Sequence, residues 1–232
     1  MRKVDPQAIR TEFAAEIDRR LQYFGRASVA LSSSNHADAD TSLLAEGVFL
    51  SASVLFETLV SDLFLAYINR DPAVFLSAKK AAASKSVEDK YGAWLVAQMR
   101  FQQPKHVSIA DVRAQVDAKG YNVAFPDAAA LKTKADSWLA PAYAARFTLS
   151  TADASLFDTV KDVRDFLAHR SPSSSTAMNN SLSTVAAPAV NQGLGRGVKK
   201  VLSVGAFLRA RVAGQQRLVL YLARIKDVAS NL

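Results

Sequence analysis

Over residues 40–69 the apolar side chains fall on two sides of one helix. Leu44, Val48, Leu55, Leu59 and Leu63 mark one side, and Phe49, Phe56, Val60 and Phe64 the other. A helix apolar nearly all round has to be enclosed by other elements, so the chain must supply a shell around it. The sequence offers helices for that shell. Ile9, Phe13, Ile17, Leu21 and Phe24 repeat at helical spacing over 6–31, as do Leu156, Val160, Val163 and Leu167 over 152–170. Residues 73–83, 86–101 and 127–139 also read as helix. Ser86 with Asp89 and Ser108 with Asp111 resemble capping boxes, the second opening a short helix that stops at Lys119-Gly120. Asp38 and Asp40 read as turn and N-cap residues. No stretch alternates as a strand would. The expected fold is all-α, a helical bundle around a long central apolar helix.

The chain is read as a single domain over 1–232, with its core at about 40–170. Half of its 232 residues are apolar, which excludes a mainly disordered chain. Residues 171–195 carry no charge and are rich in Ser, Thr, Asn, Ala and Pro, so they read as a long loop. Val201, Val204, Leu208, Val212, Val219 and Leu222 then predict one long basic C-terminal helix over 198–229. Trp94, Trp138, Tyr91 and Tyr143 are expected in the core rather than as base-stacking platforms. The apolar run from Gly47 to Ile68 is broken by Glu57 and Asp62, which argues against a membrane span. The N-terminus lacks the apolar core of a signal peptide, and the chain is expected to be cytoplasmic.

Charge is unevenly placed. Residues 196–232 hold eight bases and one acid and so carry +7 of the net +8. A basic segment on a neutral body points to a polyanion partner, with Lys199, Lys200 and Arg209 as candidate contacts; its alternative is the solvated face of an amphipathic helix.

Cysteine is absent, which excludes thiolate nucleophiles, disulfides and Cys-based zinc sites. His36 and His106 are isolated in loop-like stretches, no clustered metal ligands can be assembled, and neither a metal nor a cofactor is expected. Gly193, Gly195 and Gly197 miss the G-x-G-x-x-G spacing and follow no strand.

Chemistry concentrates at the end of the 152–170 helix, in Arg164-Asp165-Phe166-Leu167-Ala168-His169-Arg170. Arg164 is a planar, permanent cation suited to phosphate oxygens. His169 can move a proton near neutral pH. Asp165 lies four residues before His169 on the same face, where a hydrogen bond would fix the imidazole tautomer. Arg164 and His169 are about 140° apart around an ideal helix. Histidine and arginine in a last turn are also ordinary partners of the helix dipole.

This run resembles the signature of the HEPN family (higher eukaryotes and prokaryotes nucleotide-binding). That signature is Arg, a polar residue, then His after four to six intervening residues; here it is Arg164, Asp165 and His169. The long apolar helix carrying Glu57 resembles the family's acidic position, and Ser53, Glu57 and Ser61 form a polar line on that helix. The resemblance covers about residues 40–170 and is closest to the stand-alone HEPN-like nucleases. It implies a metal-independent endoribonuclease, paired as a homodimer so that two motifs face one cleft. It implies His169 as general acid or base, Arg164 stabilising charge on the phosphoryl oxygens, Asp165 and Glu57 ordering the site, and Arg170 contacting RNA. The 2′-OH would attack the adjacent phosphate to leave a cyclic phosphate. Such enzymes serve as toxins or antiphage effectors, restrained by an antitoxin or other regulatory protein. Two alternatives stay open: a non-catalytic HEPN module that binds nucleotide, RNA or a partner protein, and an all-α scaffold whose basic helix binds acidic protein or anionic lipid.

Overall fold

Helix α2 (Ala37–Arg70) forms the axis of an all-α bundle, as its two apolar sides require. The computed structural model describes residues 3–102, 104, 106–116, 123–184, 193–194 and 198–232. Helix α1 (Pro6–Leu31) packs along α2 through Phe13, Ile17 and Phe24, capped by Asp5, whose carboxylate accepts from the Gln7 N–H. Helices α3 (Ala73–Tyr91), α4 (Ala93–Gln98), α5 (Ile109–Val116), α6 (Ala128–Trp138) and α7 (Pro141–Ala144) follow, then a 3₁₀ turn at Ala145–Phe147. Helices α8 (Thr151–His169) and α9 (Pro172–Ser183) pack together. The chain closes with α10 (Val204–Arg209), a hairpin of β1 (Arg211–Val212) and β2 (Gln215–Gln216), and α11 (Arg217–Asn231). Helix α2 touches α1, α5, α8, α10 and α11. It is also long and apolar enough to cross a membrane, and 61% of its most apolar window is buried inside the protein.

Several expectations need correction. The C-terminal segment is not one helix: the chain reverses at Ala213-Gly214, both at positive φ (51° and 84°). Two consecutive positive-φ residues define the tight turn that matches strand twist, and Gly214 adopts it without strain. Part of the uncharged 171–195 stretch is helix α9. Ser171 caps it reciprocally with Ser174, Pro172 opens it, and Met178 and Leu182, four apart, are buried. Residues 185–192 and 195–197 of that stretch and of the glycine cluster lie outside the described residues, as do Lys119 and Gly120. Ser86 and Asp89 sit inside α3 and cap nothing; Gly92, at φ 83°, ends that helix. His36 is the N-cap of α2, with Asp38 and Asp40 in its first turn. The Ser108–Asp111 box is formed, each side chain accepting the other's N–H at 3.0 Å.

Trp94 and Tyr91 are 76% and 60% exposed, so the core expected of them is wrong. Trp138 and Tyr143 do pack on the core. The core's aromatic centre is Phe64, wholly buried, with ring centroids of Phe125 at 5.1 Å and Phe147 at 5.2 Å.

One glycine is required by close approach. At Gly205, on α10, a Cβ would lie 2.5 Å from the Ser42 carbonyl oxygen and 2.6 Å from the Ser42 Cβ on α2. Beside this crossing Glu46 accepts from the Gly205 N–H at 2.9 Å.

Helix α6 begins against α8. Asp127 caps it by accepting from the Ala130 N–H, and Asp158 of α8 accepts from the Ala128 N–H at 2.7 Å. Burial raises the Asp158 carboxyl above its ordinary 3.8; the Ala128 N–H and Lys161 oppose the shift, and Asp127 and Asp162 add to it. A carboxyl raised by folding binds its proton more tightly in the folded state, so its ionisation lowers stability as pH rises through the window above 3.8. Asp158→Asn keeps an acceptor for Ala128 and removes the charge. Denaturant titrations should therefore show the variant gaining on the wild type as pH rises above 3.8; a difference constant with pH would refute the assignment.

Candidate active site

Helix α8 is amphipathic. Leu156, Val160, Val163 and Leu167 face inward, which leaves Lys161, Arg164 and Asp165 along the half-buried edge of its contact with α2. Arg164 reaches across that contact. Its Nη2 donates to Glu57 Oε2 at 2.5 Å and its Nη1 to Asp165 Oδ1 at 2.5 Å, while Lys161 Nζ donates to Asp165 Oδ2 at 2.9 Å. These groups edge a cavity of about 130 Å³, whose apolar wall includes Phe56, Val60, Phe125, Phe157 and Val160. Two cations meet two carboxylates, so the cluster is formally neutral.

Burial is the largest single influence on Glu57, Asp165 and Arg164, but it sets the direction only at Glu57. It raises the Glu57 carboxyl, and Arg164 offsets only part of that. It also acts to raise Asp165, but hydrogen bonds and charge from Lys161 and Arg164 outweigh it and hold that carboxyl below its usual value. Burial works against the Arg164 cation, and Asp165 and Glu57 together keep it firmly charged.

The polar line of α2 is satisfied turn by turn. Ser53 donates to the Phe49 carbonyl at 2.8 Å, Glu57 takes Arg164, and Ser61 accepts from the Val123 N–H at 2.9 Å. Ser61 thereby fixes the 123–125 wall of the cavity. Neither Lys161 nor this wall was identified from sequence; the i, i+4 spacing of Lys161 and Asp165 was the available signal.

The remaining candidates lie elsewhere. His169 ends α8 and is exposed. The expected Asp165–His169 hydrogen bond is not formed: both Asp165 oxygens are taken by Lys161 and Arg164, permanent cations closer to the cavity. Arg164 and His169 are not brought together within one chain. Arg170 adopts a left-handed conformation (φ 50°) that terminates the helix, and its guanidinium meets Glu46 at 2.5 Å. The Glu46 carboxylate thus ties the end of α8 to α10. Arg209 is held by Asp38 at 2.7 Å and by Ser42 at 3.1 Å. Lys199 and Lys200 are exposed, on a stretch without regular structure.

Other bases of the C-terminal segment also find partners within the chain. Arg224 pairs with Asp153, Lys226 with Asp18 at 2.6 Å, and Arg217 is half-buried over the Phe207 ring. Among the described residues no group of three His, Asp or Glu side chains is placed to hold a metal. No protein-family model, no curated protein and no solved structure matches the chain.

Proposed function

We propose that this protein is a metal-independent endoribonuclease of the HEPN type, working as a homodimer and serving as a toxin or antiphage effector. The observation that carries the reading is the Glu57–Arg164–Asp165 cluster. It joins the acidic position of the long helix to the motif arginine, 107 residues away, at the mouth of a cavity. A phosphate entering there would compete with the two carboxylates for the Arg164 guanidinium, which presents five N–H donors. The exposed position of His169 suits a site completed by a second copy.

In the proposed reaction one imidazole removes the proton of the ribose 2′-OH. The 2′-oxygen forms a bond to phosphorus, the bond from phosphorus to the 5′-oxygen breaks, and a protonated imidazole supplies the leaving oxygen with a proton. Arg164 stabilises the charge building on the phosphoryl oxygens. A second reading, a non-catalytic module binding nucleotide, RNA or a regulatory protein, draws on the cluster's neutrality and on the separation of Arg164 from His169 in one chain.

The test is cleavage of a mixed RNA substrate in excess EDTA, with analysis of the new 3′ ends. Wild type should leave 2′,3′-cyclic phosphates. His169→Ala and Arg164→Ala should each lower the rate by about 100-fold or more, with the mass in solution remaining that of a dimer. Cutting that survives both substitutions, or that requires Mg²⁺, would discard the reading; a folded dimer that binds RNA without cutting it would favour the module.

A further inference from the structure

From Leu76 to Gln102 no residue is buried, although most of this stretch is helical. Phe75 is the only buried residue of α3; beyond Leu76, which still packs on the core, and Lys79, which lies over the Phe75 and Trp138 rings, the helix buries no residue, turns at Gly92 and is packed by α4. The hairpin so formed displays Trp94, Tyr91 and Phe101, 76%, 60% and 39% exposed. Lys79, Lys80, Lys85, Lys90 and Arg100 accompany them, against Glu88 and Asp89. Among the described residues none of these five bases is ion-paired, unlike Arg209, Arg224 and Lys226 of the C-terminal segment. Charge and ring lie side by side: Lys90 Nζ is 5.2 Å from the Tyr91 ring centre and Lys80 Nζ 5.2 Å from that of Phe101. Leu76, Lys79, Lys80, Phe101, Gln102 and Gln115 line a cleft of about 520 Å³ at the root of the hairpin.

We infer that the α3–α4 hairpin is a docking surface for single-stranded RNA. Cations without a carboxylate partner, of which, among the described residues, only Lys79 is engaged by a backbone carbonyl, that of Gln115, interleave with exposed aromatic faces and suit a strand whose phosphates are anionic and whose bases stack without regard to sequence. The net positive charge disfavours the same hairpin of a second copy as occupant, because like charges would be brought together. Helix α6 packs against α3 and also against α8, so one strand could be held at the hairpin and presented to the Arg164 cavity. The inference rests on the ribonuclease reading for the choice of RNA as the polyanion, and on the hairpin alone for where it binds.

The experiment is fluorescence anisotropy with fluorescein-labelled oligothymidylate, which lacks the 2′-OH and cannot be cut by the proposed chemistry. Tyr91→Ala/Trp94→Ala should bind about tenfold more weakly or worse than wild type. Lys80→Gln/Lys85→Gln/Lys90→Gln should flatten the dependence of log K on log salt by about 2. All five positions are exposed, so circular dichroism should be unchanged. No binding by wild type, or equal binding by both variants, overturns the inference. So does a fall in molecular mass of the aromatic variant with binding intact, which would make the hairpin a self-association surface. Binding that depends on the hairpin in a protein that cuts no RNA would retain the docking surface and remove the ribonuclease reading. Cutting without such dependence would do the reverse.

Discussion

Gly205→Ala is expected to destabilise the protein by about 3 kcal/mol, the upper end of overpacking, and to lower the melting temperature by roughly 6–12 °C for a chain of this size. Intrinsic helix propensity argues for the opposite sign, since alanine is favoured over glycine by about 1 kcal/mol within a helix. The neighbour decides between them. A methyl group at 205 would stand 2.5 Å from a backbone oxygen of α2, and a backbone atom cannot swing aside as the tip of a long side chain can. Helix α10 would have to move away, straining the Gly205 N–H bond to Glu46 and with it the carboxylate that holds Arg170 at the end of the motif helix. Thermal unfolding followed by circular dichroism measures the effect. A variant as stable as wild type, or more so, would show that the α2–α10 crossing is looser than described.

Phe64→Ala is expected to remove about 3–5 kcal/mol, the range for deleting an enclosed aromatic side chain. Phe64 has no exposed surface and contacts the rings of Phe125, Phe147 and Trp138. It therefore joins α2 to the 123–127 segment, to α6 and to the 3₁₀ turn. Urea titration should show the midpoint fall while Val54→Ala, 45% exposed on the same helix, stays within about 0.5 kcal/mol of wild type. Phe125 also walls the Arg164 cavity, so the damage should reach the site as well as the core. Equal effects at positions 54 and 64 would contradict the assignment of Phe64 as the aromatic centre.

The elements that pack most simply were the most legible. The apolar stripes of α1, α2 and α8 predicted those helices to within a few residues, because helical periodicity records which face is buried. The C-terminal stripe misled because Val212 and Val219 keep helical spacing on either side of a two-residue turn. The pattern reports phase, and a local reversal at Ala213-Gly214 does not disturb it. Trp94 and Tyr91 misled because size and hydrophobicity suggest burial, whereas nothing in α3 or α4 beyond Phe75 supplies a face to pack them against. The basic bias of the last segment was visible, but the pairing of three of its bases was not. Arg209, Arg224 and Lys226 find Asp38, Asp153 and Asp18 at separations of 171, 71 and 208 residues. At the site, Arg164 and Asp165 stood out as residue types. The union of Arg164 with Glu57 needed the α2–α8 contact, whereas Lys161 meets Asp165 along α8 itself, and the Asp165 carboxylate is engaged by Lys161 and Arg164 rather than by His169.

The contact between Glu46 and Gly205 has a consequence for how the chain is made. The two residues are 159 apart in sequence. At roughly 5–20 residues per second on a ribosome, about 8–30 s pass between their appearances. Tyr221, whose ring meets Phe49 edge-on at 5.4 Å, arrives later still. Throughout that interval the apolar flank of α2 that α10 and α11 will cover has no native cover. The nascent chain thus carries a sticky helix from the emergence of α2 until α10 and α11 follow it, and shielding of that helix over the interval should favour correct folding.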